Sequence, residues 1–103
     1  MRLKRNNLWS RSLSKKSYVS IDGIQRPQDV DERISLDVAA MLATPTGQSV
    51  MQYLRSISTD IANGPNISND ELRHLEGQRF VVGLLSSRAN HAAQIKSREN
   101  KDE

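Results

Sequence analysis

Ser68-Asn69-Asp70-Glu71 constrains this chain more than any other four residues in it. A serine followed three places later by a glutamate, ahead of an apolar-rich stretch, is a capping box. Each side chain can satisfy a free N–H of the other at a helix start. Ile67 before the cap and Leu72 after it supply the accompanying hydrophobic staple. A helix is therefore predicted from Asn69 to about Lys96, roughly 40 Å long at 1.5 Å per residue. Its apolar positions, Leu72, Leu75, Phe80, Val81, Val82, Leu84, Leu85, Ala89, Ala92 and Ala93, wrap more than one face. A two-helix contact needs less, so the excess implies a third helix, an oligomer or a docking partner.

Two further helices are predicted upstream. Val30, Ile34, Val38, Met41 and Leu42 follow the three-to-four spacing of one helical face, giving a helix over about 28–42. Asp29, Asp31 and Glu32 fall in its first turn, where the positive end of the macrodipole accounts for them. Thr44 then serves as N-cap with Pro45 at N1, opening a second helix over about 45–63. Val50, Leu54, Ile57 and Ile61 form its stripe, with Gly64 expected in a left-handed C-terminal position and Pro65 preventing continuation. Gly47, in the first turn, costs about 1 kcal/mol of helix propensity. Either something approaches closely there or the turn tolerates it.

The fold class expected is all-α: three helices, the last two an antiparallel αα-hairpin, with the first lying across its apolar face. Only Trp9, Tyr18, Tyr53 and Phe80 are aromatic, so the core must come from Leu, Ile, Val, Met and Ala. The length allows one domain. It divides into a flexible basic arm over 1–27, a helical domain over 28–96 and a charged tail over 97–103.

The absence of cysteine removes disulfides, thiolate metal sites and cysteine nucleophiles together. The longest apolar run, from Phe80 to Leu85, is far short of a membrane span. No apolar segment of the kind a secretory signal requires follows the basic start.

Charge is divided unevenly. Arg2, Lys4, Arg5, Arg11, Lys15 and Lys16 give residues 1–19 a charge of +6 with no acid. The chain as a whole carries +3, which leaves −3 for the rest. Such an arm attracts nucleic acid, an acidic protein surface or an anionic membrane. Its Arg- and Ser-rich composition also fits an organelle transit peptide, which would make the chain an imported subunit of a larger assembly.

Side chains able to do chemistry do not gather into a catalytic pattern. His74 and His91 are the only histidines, have no spacing suited to a shared metal and are expected to face solvent. No nucleophile elbow or Gly-rich phosphate loop is present, and no cofactor is implied. A DNA-reading helix-turn-helix is disfavoured, because Asp70 and Glu71 would face the phosphates. The segment Glu76-Gly77-Gln78-Arg79-Phe80 stands out instead. Glu76 and Arg79 are placed to pair, or Arg79 to meet a partner's carboxylate or carbonyls. Gly77 and Gly83 each cost about 1 kcal/mol in a helix interior; either a neighbour approaches closely there or packing elsewhere absorbs the cost. Glu76, Gly77, Arg79, Phe80 and Gly83 are thus the candidate partner-binding residues. The six cations of the arm are the candidates for binding nucleic acid or an acidic partner.

Leu42-Ala43-Thr44-Pro45-Thr46-Gly47, followed by Val50, Met51, Tyr53 and Leu54, resembles the opening of a family of short tailed-bacteriophage proteins. An acidic-Gly-x-Arg element with following aliphatics also resembles that family, matched here by Glu76, Gly77, Arg79, Val81 and Val82. The match covers roughly residues 38–90. It implies membership of the phage head and portal gene module, with no catalytic residues to carry over. The expected function is a non-enzymatic virion-associated or assembly protein, in the virion or host cytoplasm. It would dock on a larger head or portal component while its arm contacts DNA or an acidic partner. A small nucleic-acid-associated regulator is the other reading, and a homo-oligomer would also use the excess apolar surface.

Overall fold

The computed structural model describes residues 17–102 of the chain. Two short strands, β1 (Ser17–Val19) and β2 (Gln25–Pro27), pair antiparallel with Tyr18 opposite Arg26. Three helices follow: α1 (Gln28–Leu42), α2 (Pro45–Ser56) and α3 (Asn69–Asp102). At about 1.5 Å per residue the 34 residues of α3 account for the 50 Å long axis of the molecule. The radius of gyration, 17.0 Å, exceeds the roughly 13 Å of a compact chain this long. No helix among the described residues is long and apolar enough to cross a membrane.

The three helices expected from the sequence are present, and the predicted starts hold. Glu71 N–H donates to Ser68 Oγ at 3.1 Å and Ser68 N–H to Glu71 Oε1 at 3.2 Å, completing the capping box. Thr44 Oγ1 accepts from Gly47 N–H at 2.9 Å and donates to the Met41 carbonyl at 2.8 Å, closing the turn between α1 and α2. Gly47 is required there. A Cβ at that position would lie 1.9 Å from the Met41 carbonyl oxygen, so close approach is the reason for the glycine.

Four expectations are corrected. Residues 17–27, assigned to the arm, form a β-hairpin, so the fold is helical with a small sheet rather than all-α. Its loop is Ile21-Asp22-Gly23, with Ser20 N–H donating to the Ile24 carbonyl and Gly23 at φ +85° in the left-handed region. That is the three-residue hairpin in which the last loop position wants glycine. Residues 1–16 lie outside the described residues.

Next, α2 stops at Ser56 rather than about Asn63. Ser56 and Ser58 hydroxyls donate to the Tyr53 and Leu54 carbonyls at 2.6 Å, and Asp60 N–H reaches back to the Arg55 carbonyl. These local bonds compete with the helical ladder. Gly64 is not left-handed, because the chain has already left the helix before it. In contrast, α3 continues to Asp102 where fraying was expected after Lys96. Arg98, Glu99 and Lys101 favour helix, and Arg98 is held against Glu32 of α1 by two hydrogen bonds of 3.1 and 3.2 Å.

Lastly, the buried face of α2 is not the predicted stripe. Gly47, Met51 and, just beyond the helix, Ser58 are buried, while Val50, Ile57 and Ile61 are exposed by 36 to 45 %. The core is small: Val30, Met51, Leu75, Val82, Ala92 and Ile95 are its buried apolar side chains.

The glycines give opposite predictions. Gly47→Ala is expected to destabilise by about 3 kcal/mol, since backbone must move to relieve the contact. Gly83→Ala meets open space and should stabilise by up to about 1 kcal/mol. Urea unfolding of the two variants measures both.

Candidate interaction surface and the buried network behind it

Arg88 is 4 % exposed and Asp31 1 %. From the C-terminal half of α3, Arg88 Nη1 donates to Asp31 Oδ1 at 2.6 Å, to the Asp31 carbonyl at 3.0 Å and to Ser35 Oγ at 3.0 Å. Its Nη2 donates to Ser20 Oγ at 2.9 Å and reaches Asp22 Oδ2 at 3.3 Å. One guanidinium therefore joins the hairpin, α1 and α3. Asp31 also accepts from Ser20 Oγ and, at 3.0 Å, from the Tyr18 hydroxyl. Ser35 Oγ lies 2.7 Å from His91 Nδ1, extending the network along α3.

Burial alone would push the Asp31 carboxyl up, but the hydrogen bonds from Ser20, Arg88 and Tyr18 and the charge of Arg88 outweigh it and hold it below its ordinary value. Asp22 behaves alike: burial opposes its ionisation, yet Arg26, the Ile24 N–H and Arg88 lower it to about 2. The Tyr18 phenol is pushed up to about 12 by burial and by its bond to the Asp31 carboxylate. Arg98 holds Glu32 below its ordinary range as well.

Two expectations fail against this network. Asp31 lies in the first turn of α1 as expected, but it is the buried partner of Arg88, so the helix start does not account for it fully, whereas Asp29, which accepts from Val30 N–H at 3.0 Å, fits that role. His91 is half-buried against Ser35, while His74 is exposed and 3.3 Å from Gln78 Nε2. Reading by apolar periodicity missed Arg88, Ser20 and Ser35. A signal existed for Arg88, which sits four residues from Leu84 and Ala92 on an inward stripe.

The candidate docking residues lie toward the other end of α3. Arg79 Nη1 pairs with Glu76 at 2.6 Å, as the spacing predicts. Its other nitrogens donate to the Ser58 carbonyl at 3.2 Å and the Ile61 carbonyl at 2.6 Å. Arg79 thus ties the chain leaving α2 to α3, and the carbonyls it meets belong to its own chain. Glu76, Phe80 and Gly83, spaced by four and three, share one helical face. Phe80 is 57 % exposed, and nothing lies within 4 Å of a Cβ built on Gly77 or Gly83. Gly77 is on the neighbouring face, beside Val81. The six cations of the arm lie outside the described residues.

Compared with known families, curated proteins and solved structures, the chain matches none of them.

Arg88→Met strands a carboxylate in the interior and should cost about 3–5 kcal/mol. Adding Asp31→Leu should recover part of that loss, because the penalty resides in the unpaired charge. Urea titrations of the single and double variants separate the two.

The pH profile follows from the same groups. Stability carried by Asp31 and Asp22 is complete above the unfolded-state pKa near 3.9 and drains as pH falls through the lower folded values. Tyr18 has the opposite sign. Its share is complete below its ordinary value of 10.0 and is lost as pH rises toward about 12. Tyr18→Phe should remove that alkaline loss and keep the acid limb, as read from urea midpoints across pH.

Proposed function

We propose that this chain is a non-enzymatic phage virion-associated or head/portal assembly protein that works by helical docking. The observation that carries the reading is Phe80, exposed on a long helix with Glu76 on one side and open backbone at Gly83 on the other. Aromatic anchors of that kind dominate binding when they enter a partner's pocket. In this reading α2 and α3 act as the docking hairpin, and Arg79 fixes the chain between them.

The bacteriophage element rests on the residues that carry the sequence resemblance. Several of them have a definite physical task here. Thr44 and Gly47 close the α1–α2 turn, and Glu76 and Arg79 pair on α3. The larger partner is a head or portal protein, and the +6 charge of residues 1–19 contacts packaged DNA or an acidic surface.

The same charge division favours one other reading, a small nucleic-acid-associated regulator. Its binding to duplex DNA would weaken steeply with salt and disappear on deletion of residues 1–19.

Mass spectrometry of purified particles from the source tests the main reading. Stoichiometric presence with capsid and portal is the expected result, and Phe80→Asp should release the chain from the particle. A chain absent from particles overturns the virion assignment.

A further inference from the structure

Between Ser56, where α2 ends, and Asn69, where α3 begins, the chain is anchored at two places. Arg79 Nη2 donates to the Ile61 carbonyl at 2.6 Å, and the Ser68–Glu71 capping box fixes the far end. From Ala62 to Ile67 a single backbone hydrogen bond is made among the described residues, from Ile67 N–H to the Gly64 carbonyl. At 3.4 Å it is longer than an ordinary N–H···O bond. Asn63 and Gly64 stand in the middle of this stretch, both exposed and in neither helix nor strand. Neither the Asn63 side chain nor the Gly64 N–H has a hydrogen-bond partner among the described residues. Nothing lies within 4 Å of a Cβ built on Gly64.

We propose that Asn63-Gly64 is a site of spontaneous covalent modification, at which the asparagine passes through a succinimide to isoaspartate and aspartate. The Gly64 nitrogen, its proton taken by hydroxide, attacks the carbonyl carbon of the Asn63 side chain. A C–N bond forms, the C–NH2 bond breaks, and the leaving nitrogen takes a proton from water and departs as ammonia. Water then opens the ring. Attack at the side-chain carbonyl leaves aspartate in an ordinary backbone. Attack at the main-chain carbonyl leaves isoaspartate, whose backbone runs through the former side chain. Water is the one co-reactant, and nothing is oxidised or reduced.

Ring closure needs a backbone that can turn, an attacking nitrogen bound to no acceptor, and no side chain crowding that nitrogen. Asn63 meets all three. Its own torsions are not held by a helical or strand ladder, the Gly64 N–H is unbonded, and glycine carries no Cβ. Pro65 restricts Gly64, the residue before it, and leaves the Asn63 torsions alone. The other asparagines among the described residues each fail a condition. Asn90 and Asn100 lie inside α3 and Asn69 opens it, while Asn66 precedes β-branched Ile67, whose N–H is bonded. The product alters surface rather than fold. Asn63 lines an open cleft of about 420 Å³ together with Ile67, Asp70, His74 and Leu75. Conversion sets a new carboxylate on that cleft and lowers the net charge of +3 by one. Both anchors, at Ile61 and Ser68, lie outside the altered linkage.

Incubation of the full chain in mildly alkaline buffer, followed by peptide mass spectrometry over time, tests the site. The Asn63 peptide is expected to gain the mass difference of OH over NH2 and to resolve into two products, isoaspartate in excess. Asn66 and Asn90 should stay intact over the same period. Hydroxylamine, which attacks the succinimide, should cut the chain between residues 63 and 64. Gly64→Ala meets open space, so it should keep the helical circular dichroism and slow conversion about tenfold. Because the linkage is already open in the folded chain, conversion in urea should run within about threefold of the native rate. An Asn63 that stays intact, that converts only once urea has unfolded the chain, or that converts as fast in Gly64→Ala as in the wild type would each overturn the proposal.

Discussion

A guanidinium removed almost wholly from water survives only where every donor finds an acceptor and its charge finds an opposite one. Arg88 meets that condition at both terminal nitrogens with groups drawn from two separate parts of the chain: Ser20 and Asp22 from the hairpin, Asp31 and Ser35 from α1. None of these groups can shift without leaving another unpaired. The apolar core is too small to impose a unique arrangement by shape alone. Six buried apolar side chains distributed over α1, α2 and α3 would tolerate sliding of α1 along α3. The ion pair does not tolerate it. A buried pair of this kind adds little net stability over an apolar substitute. What it contributes here is register: it sets where along α3 the first helix and the hairpin sit.

That division explains which parts of the structure the sequence discloses. Helix starts are local, so Ser68, Glu71, Thr44 and Pro45 are legible within a few residues and stand where they were expected. Periodicity gave the existence of three helices but misjudged α2, because its apolar stripe at Val50, Ile57 and Ile61 is not the buried one. The hairpin was also locally encoded. Asp22-Gly23 lies between two β-capable stretches, yet the basic residues just before it drew the whole segment into the arm. The Arg88 network was the least legible. Its bonded pairs are 11 to 68 residues apart, and most members belong to residue types that ordinarily lie on surfaces.

The two halves of α3 consequently differ in how they are held. The C-terminal half is fixed by the Arg88 cluster, by Ser35 and His91, and by Glu32 and Arg98. The N-terminal half has α2 and the following loop on one side, where Leu75 and Val82 are buried and Arg79 bonds to the Ser58 and Ile61 carbonyls. Its other faces are open. Because both halves belong to one continuous helix, the ordered half stiffens the exposed one without covering it. A docking surface built this way loses little conformational entropy when it engages.

Glycine usage sharpens the distinction between what the chain needs for itself and what it holds for something else. Gly47 and Gly23 are explained internally, one by the Met41 carbonyl and one by a left-handed loop position. Gly77 and Gly83 are not. Both lie inside α3, where glycine weakens a helix by about 1 kcal/mol relative to alanine, and alanine would fit at either without meeting a neighbour. Within the isolated chain those two residues only subtract from stability. The same bare backbone that costs the monomer lets a second helix approach closely, and Phe80 and Val81 stand exposed beside it. Local weakness and exposed apolar side chains thus coincide on one half of one helix, and a surface that is unfavourable alone becomes favourable once something packs on it.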